Sequence, residues 1–452
     1  MPSYRMIICI SVIAFYLSYR LFKVAAGTME LMKINMISSM YYANILIPYF
    51  LSSIFIYSDW DNHYLINKID DNSDAIKIAY YVLMYTVVAL PLGMIIANKI
   101  FKVKPKIFYL EFINKPITYL NSPKDSYHKL FLNLTVVLCF MSIAYVFITI
   151  GSIPFLNISG KTSEQLLFIR NEVGRGFTGI ALIKDLFALI LTPILTYTFY
   201  VNYKVSNNRK QLIMFIIMFL TCTLTLTYNF AKAPLILFLL NFLFLKVLIN
   251  GQLSKGVFVL GGLLVGCVVV GNYILLSELS IDQLTGFTKG PMGRVFFTQS
   301  AGLYLTFDAF PKYHDFIGLE SMSNFFSSNI LGTEKIDRSG ELLQGIYNKS
   351  QTKLGLTGVI NSLFVAEAYA NFGYFGVVLA PIYVGFLTQF FFIKLFAQKK
   401  TPFILAIITY FSLRSIINGG VNDYIYNPLY VSLITVIAGI IYLSKYYRFK
   451  SR

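Results

Sequence analysis

Long apolar runs separated by short charged stretches set the pattern of this chain. A run of about 20 apolar residues can cross the hydrocarbon core as a helix, a form that closes its own backbone hydrogen bonds. Eleven such runs can be read, at roughly 6–19, 36–57, 76–97, 130–150, 179–200, 212–227, 234–248, 257–276, 367–395, 402–417 and 427–443. The pattern predicts an all-α polytopic membrane protein with about 11 (10–12) transmembrane helices. Ile213 to Ile249 is too long for one span, and Thr227-Tyr-Asn-Phe-Ala-Lys-Ala-Pro234 at its centre marks a tight turn between two short ones. The first run has the length of a signal-peptide core, but no small-residue cleavage pattern follows it, so it is read as a span.

Two longer polar stretches interrupt this alternation. Residues 151–178 form a first substantial loop, and residues 277–366 a much larger one. Within the larger loop, Pro291 to Phe310 is apolar enough for a helix that lies against or dips into the membrane. Gly340 to Ile346 reads as a short helix or turn, and Lys349 to Asn361 as irregular chain. The turns elsewhere show that linkage needs few residues, so a loop of this length is expected to carry function. Residues 1–452 are read as a single integral membrane domain, with part of the active site on the large loop.

Composition supports the membrane frame. The chain is 56% hydrophobic and only 13% charged, where a soluble domain carries about 25% charged residues. A formal net charge of +17 would suggest nucleic acid in a soluble protein. Here the cations crowd into short loops: seven lysines in residues 99–129, the turn 202–210, then Lys394, Lys399, Lys400 and the tail. They mark the cytoplasmic side and face anionic membrane lipid, and no nucleic-acid partner is expected. The acidic stretch 58–74 and both larger loops fall on the outer side, and the odd count puts the amino terminus there as well. Ile107 to Leu120 reads as an interfacial helix with its aromatic residues toward lipid. The four cysteines lie in apolar runs, so no disulfide is expected. Without CxxC, HExxH or a P-loop, and with three scattered histidines, no metal site, cofactor or ATP hydrolysis is expected.

Charges at the edge of a membrane span are costly, and by default they line a cavity or pathway. Arg170 with Arg175, Lys184 with Asp185, Lys232 and Arg414 all fall near the predicted outer level. Arg294 and Arg338 of the large loop can join them. Arginine suits phosphate oxygens, which it clamps with two parallel donors. The ordinary readings are snorkelling, surface charge or an internal salt bridge. Activating a hydroxyl requires a base within hydrogen-bond reach, and Glu172 and Glu367 are the candidates. Glu367 at a helix start is equally accounted for by the helix dipole. Asn371, Gly373 and Gly376 would let helices approach closely. Tyr304, Tyr347, Tyr369 and Tyr374 offer faces on which sugars stack, in a chain where tyrosine is common throughout.

Several local patterns occur in a telling order. Arg170 and Arg175 lie in the first outer loop. Tyr228 to Pro234 places a small and a basic residue before an apolar helix. Gly293-Arg-Val-Phe-Phe-Thr-Gln-Ser300 sits in the large loop, and Asn371-Phe-Gly-Tyr-Phe-Gly376 follows it. Over nearly the whole chain this resembles the Wzy-type oligosaccharide repeat-unit polymerases of bacterial polysaccharide synthesis. The family's turn usually carries arginine; Lys232 here keeps the charge and loses the bidentate fork. The resemblance implies a GT-C-like, metal-independent glycosyltransferase of the bacterial cytoplasmic (inner) membrane, with its site facing the periplasm or exterior and no cofactor. Donor and acceptor would be polyprenyl-diphosphate-linked oligosaccharides, with a flippase and a chain-length regulator as partners. The growing glycan would pass to the non-reducing end of a new lipid-linked unit, building O-antigen or capsule. Arg170, Arg175 and Arg294, with Glu172 or Glu367 as base, would serve the chemistry. Lys232, Arg338, Arg414, Tyr304 and Asn371 would hold the substrate. An oligosaccharide ligase, using the same donor and another acceptor, is the nearest alternative. A lipid-linked glycan flippase is a further one, and would carry polar residues through the midplane.

Overall fold

Asparagine and glycine punctuate the helices where the sequence turns polar. Asn207 adopts a left-handed conformation (φ 50°) that ends Thr192–Ser206, and the Asn208 side chain accepts from the Lys210 amide to start Arg209–Leu226. Gly251, at φ 83°, stops Lys232–Asn250 in the same way. The structure, a computed structural model, describes residues 4–60, 62–70, 74–119, 126–151, 163–174, 176–229, 231–277, 293–353, 358–414 and 416–450. Among the described residues all regular structure is helical. Nine described helices are long and apolar enough to cross a membrane: Arg5–Lys33, Met36–Tyr57, Ala75–Ile100, Ser126–Ile150, Ala181–Ser206, Arg209–Leu226, Ala233–Asn250, Phe364–Phe396 and Asn422–Tyr442. The chain is a polytopic membrane protein. Two more of the eleven expected spans, 257–276 and 402–417, fall on the helices Lys255–Ser277 and Pro402–Leu413.

The chain divides into two compact units. One comprises residues 1–110, 273–395 and 412–427; the other comprises 111–272, 396–411 and 428–452.

The first unit is built around Ala75–Ile100. Ser11 Oγ lies 2.7 Å from the Tyr80 hydroxyl, and Asn98 Nδ2 donates to the Ala25 carbonyl at 3.3 Å. These two pairs make Tyr4–Ala26 run parallel to the central helix. Tyr85 donates to the Val378 carbonyl at 2.8 Å, and Gln389 Nε2 to Asn98 Oδ1 at 2.8 Å, so residues 374–396 run parallel too. Gly93 abuts the Ile382 carbonyl and Gly385 the Leu90 carbonyl, and neither leaves room for a Cβ. Small residues let membrane helices approach backbone to backbone in this way. Parallel packing places residues 62–70 at one end of the unit, the loop end, and Lys23, Lys99 and Lys394 at the other, the lysine end. Met36–Tyr57 runs back between the two ends, as Phe22 against Tyr41 and Phe15 against Phe50 show. It is π-helical over Tyr41–Leu51, around Pro48, which lacks an amide hydrogen for the regular ladder.

Phe364–Phe396 is not one straight rod. Gly373 has φ 59° and ψ −146°, which breaks it into arms of residues 364–372 and 374–396. The break frees the carbonyls of Ala370 and Asn371, and the amides of Ile317 and Gly318 donate to them at 3.0 Å each. Gly376 lies against the Ala368 carbonyl, eight residues back, as only a sharp corner allows.

The large loop is more ordered and more deeply packed than its polarity suggests. Arg294–Thr298 is a π-helical turn that leads into Gln299–Ala309, and residues 300–309 are buried throughout. This segment was expected to rest on the membrane; protein covers it instead. Ser300 meets Ser52 across 2.5 Å, and Gly302 abuts the Asn361 carbonyl. Ser339–Tyr347 is the expected short helix. Lys349–Lys353 is helical where irregular chain was expected, and residues 358–363 are irregular. The expected interfacial helix exists as Pro105–Asn114, but its aromatics turn inward. Tyr109 donates to the Ile34 carbonyl at 3.2 Å, and the Phe112 ring lies 4.6 Å from that of Phe396.

The second unit is centred on Ala181–Ser206, which is π-helical over Lys184–Leu191. Tyr197 donates to the Phe238 carbonyl at 2.8 Å, inside a cluster of Phe215, Phe219, Phe238 and Phe242. Buried Lys184 lies 4.6 Å from the centre of the Phe177 ring and 3.8 Å from Asp185, and donates to the Gly174 carbonyl at 3.3 Å.

Forcing a side chain into the Gly93–Gly385 crossing should show how much the first unit rests on it. Gly385→Leu is expected to destabilise the protein by about 1–3 kcal/mol through overpacking. Thermal unfolding in detergent should register a clear fall for Gly385→Leu. Gly262→Leu, where a Cβ meets nothing within 4 Å, should leave the transition in place.

Candidate active site

After Glu341 the chain contains only two acidic residues, Glu367 and Asp423. Both end on one arginine at the loop end of the first unit. Arg338 precedes Ser339–Tyr347, and its backbone amide donates to Glu341 Oε2 at 3.1 Å. Its Nε and Nη2 donate to the two oxygens of Glu367 at 2.6 and 2.9 Å, and its Nη1 donates to Asp423 Oδ1 at 2.9 Å. Burial pulls the guanidinium pKa down, but the pairs with Glu367 and Asp423 outweigh this and hold it above its ordinary value. The Glu367 side chain is 5% exposed, that of Asp423 12% and that of Arg338 32%. Such a carboxylate is retained inside protein only when paired and hydrogen-bonded.

A ring of neutral side chains braces the pair. Asn371 Nδ2 donates to Asn422 Oδ1 at 2.9 Å, Asn422 Nδ2 to Ser321 Oγ at 2.9 Å, and Ser321 Oγ to Asn371 Oδ1 at 3.4 Å. The Asn422 amide also donates to Glu367 Oε2 at 2.9 Å. Gly420 lies so close to the Glu367 carboxylate and the Arg338 guanidinium that any side chain there would overlap both. Asp423 Oδ1 accepts a second bond, from Asn427 Nδ2 at 2.9 Å. Both bonds to Asp423 use the same oxygen, so Oδ2 takes no partner among the described residues. With one cation against two carboxylates the cluster is net acidic. It offers an oriented carboxylate oxygen rather than a ready anion site.

Glu367 and Asn371 are buried in the cluster. Arg338 was expected to hold a diphosphate, but here it is engaged by two carboxylates. Arg294 is exposed, forms no ion pair among the described residues, and its charge reaches Tyr64. Arg414 is half-buried in the same unit, two residues beyond the Ser412 carbonyl that accepts from Ser39 at 2.7 Å. Tyr304 is fully buried, so it presents no face to a sugar; the helix that carries it is enclosed by protein. Tyr347 donates to Asp308 Oδ2 at 2.5 Å, and burial together with that carboxylate pushes its hydroxyl pKa up. Tyr369 is buried, while Tyr374, just past the corner, is exposed. In the second unit Glu172 is exposed on Ser163–Gly174. That helix also carries Arg170, and Lys232 begins the helix Lys232–Asn250; both of these side chains, and Arg175 altogether, lie outside the described residues.

Sequence reasoning passed over Asp423, which it placed in a short outer turn. The available signal was scarcity: an acidic residue late in a chain of net charge +17. It also passed over His63, which is buried beside the large loop with Nε2 3.3 Å from Thr298 Oγ1. Nearby, Lys68 donates to the Tyr347 carbonyl at 2.8 Å and to Asn348 Oδ1 at 2.6 Å, and Lys312 pairs with Asp70 at 2.8 Å. The acidic stretch is thereby fastened to the large loop.

Two outcomes are expected. Arg338→Met strands two buried carboxylates, and Gly420→Ala forces the pair apart. Each should cost about 2 kcal/mol or more in detergent unfolding, below the ~3–5 for a fully buried pair because the guanidinium is partly exposed. Unchanged stability in both would remove the cluster's structural role. His63 has a pKa lowered by burial to about 4, so the unfolded chain takes up its proton first as pH falls. Stability should therefore be full above pH ~6.5 and decline toward pH ~4, by at most about 3 kcal/mol from this group. The difference between wild type and His63→Gln across that window measures it. No family model, no curated protein and no solved structure matches this chain.

Proposed function

We propose that this chain is a membrane glycosyltransferase that polymerises polyprenyl-diphosphate-linked oligosaccharide repeat units at the outer face of the cytoplasmic membrane. The observation that carries the reading is Asp423: a carboxylate fixed by Arg338 through one oxygen, with the other unpartnered among the described residues, at the loop end of apolar helices. An acceptor hydroxyl attacks the anomeric carbon of the growing glycan, and its proton passes to Asp423 Oδ2. The bond from that carbon to the lipid diphosphate breaks, and the diphosphate leaves with the electron pair. Arg294 and Arg414, cations of the same unit, stabilise the charge that develops there. Cations fixed before the reaction favour the leaving diphosphate over the intact ester, so they lower the barrier instead of only tightening binding. In this reading Arg338 is a positioning residue. Glu367 locks the arginine, and the proton-accepting role passes from Glu367 to Asp423.

The test is an assay of purified full-length protein in lipid, given the organism's own polyprenyl-diphosphate-linked repeat unit and resolved by product size. Wild type should build a ladder without nucleotide or added metal. Asp423→Asn, which keeps an oxygen for Arg338, should slow elongation about 10²–10⁴-fold, as expected for a lost proton acceptor. Arg294→Gln should slow it as well. A full ladder from folded Asp423→Asn would overturn the role of Asp423. No ladder from wild type on verified native substrate would overturn the polymerase reading, and single-step transfer to a supplied non-polymer acceptor would identify a ligase.

A further inference from the structure

The one tryptophan of the chain, Trp60, stands outside the helices, in the acidic stretch that joins Met36–Tyr57 to Ala75–Ile100. It is 65% exposed, and Tyr64 of the same stretch is 59% exposed. His63, Leu65 and Ile66 beside them are buried, so this backbone is held down while the two large rings stay open to the outside. The Trp60 amide donates to the Phe55 carbonyl at 2.9 Å. Asp59, at φ 58°, and Asn62, at φ 36°, bracket Trp60 in a left-handed region that residues other than glycine seldom adopt.

Both rings flank one buried ring of the large loop, Phe297. Phe55 lies 6.3 Å from Trp60, nearly parallel to it, and 6.4 Å from Phe297. His63 lies 4.7 Å from Tyr64 and 5.8 Å from Phe297. Arg294 begins the turn that carries Phe297; it is exposed, and its charge reaches Tyr64. Lys68 Nζ sits 5.7 Å from the centre of the Tyr64 ring. Asn62 and Asn67 stand exposed in the same stretch, where Asn67 Nδ2 donates to Asn62 Oδ1 at 3.0 Å. That bond leaves the amide nitrogen of Asn62 and the side-chain oxygen of Asn67 without a partner among the described residues. The combination defines a ligand chemistry. A sugar ring has an apolar face of C–H groups and a rim of hydroxyls, each both donor and acceptor. Large aromatic faces take the first, and asparagine amides, which carry a donor and an acceptor, take the second. An acyl chain would need no amides.

We propose that Trp60 and Tyr64 form a stacking platform for the oligosaccharide of the lipid-linked unit, with Asn62 and Asn67 at its hydroxyls. The identity of the occupant rests on the polymerase reading, in which Arg294 meets the diphosphate; the sugars next to that diphosphate then lie on the neighbouring rings. Lys68 and Lys312 fasten the stretch to the large loop, so the platform and Arg294 keep one geometry.

As the sole indole, Trp60 reports on its own site by fluorescence. Full-length protein in lipid nanodiscs is titrated with the oligosaccharide that mild acid releases from the organism's own lipid-linked unit. A saturable change in Trp60 emission is expected for wild type and for Tyr64→Phe. Tyr64→Ala should weaken binding about tenfold, as for one lost apolar contact face. Calorimetry should show a similar loss for Trp60→Ala, with most of the affinity kept by Trp60→Phe. Phe375→Ala, at another exposed ring, should change nothing. No binding by wild type, or full affinity in folded Trp60→Ala and Tyr64→Ala, would overturn the platform. Strong quenching of Trp60 by lipids brominated on their acyl chains, unrelieved by the oligosaccharide, would also overturn it and make Trp60 a membrane-interface anchor. The polymerase reading fails separately: binding without a ladder would keep the platform and remove the polymerase, and a ladder without binding would do the reverse.

Discussion

The ion pair between Arg338 and two buried carboxylates is the constraint from which the loop end of the first unit follows. Glu367 stands 29 residues away from Arg338 in sequence and Asp423 stands 85 away. Neither acid can enter an apolar helical unit uncompensated, because an unpaired buried charge costs several kcal/mol. One planar guanidinium meets both, through a fork to Glu367 and a third donor to Asp423. The large loop, the arm before Gly373 and the turn before the last helix must therefore meet at one point. Gly420 supplies the clearance, and the ring of Ser321, Asn371 and Asn422 satisfies the neutral polar groups that come with them.

The corner at Gly373 makes this meeting possible. A straight helix would carry Glu367 off along the axis of residues 374–396. The left-handed glycine turns the first arm aside, and the carbonyls it frees are taken up by the backbone of residues 317–318. The second arm is then free to run beside Ala75–Ile100 through the Gly93–Gly385 crossing. One glycine sets direction and two set spacing, and together they carry a polar cluster on an apolar frame. The cluster is asymmetric: three of the Arg338 donors are engaged by carboxylates, while one oxygen of Asp423 takes no partner among the described residues.

Much of the frame was legible, because hydropathy and lysine placement are properties of single segments. The runs 36–57, 76–97 and 130–150 reappear as Met36–Tyr57, Ala75–Ile100 and Ser126–Ile150. The opposition of acidic and lysine-rich loops agrees with the parallel helices of the first unit. Packing partners were less legible. Tyr304 reads as an available aromatic until Ser52 and Asn361 are seen to enclose its helix. Tyr109 and Phe112 read as lipid-facing for the same reason: a buried aromatic and a lipid-facing one look alike in sequence. Arg338 and Glu367 were both singled out, but a salt bridge between them is a long-range fact, and its third member went unnoticed in a turn. Gly373 was noted as a site of close packing, whereas its positive φ depends on tertiary contacts with residues 317–318.

The central claim is that lipid-linked glycan is handled at this cluster. Photo-crosslinking would test it most directly, using full-length protein in lipid and a polyprenyl-diphosphate oligosaccharide with a photoreactive group on its first sugar. Mapping by mass spectrometry should place labels in residues 293–298, around Arg338, and in residues 418–427, with natural substrate competing them away. Competed labelling that leaves all three segments untouched would contradict the account.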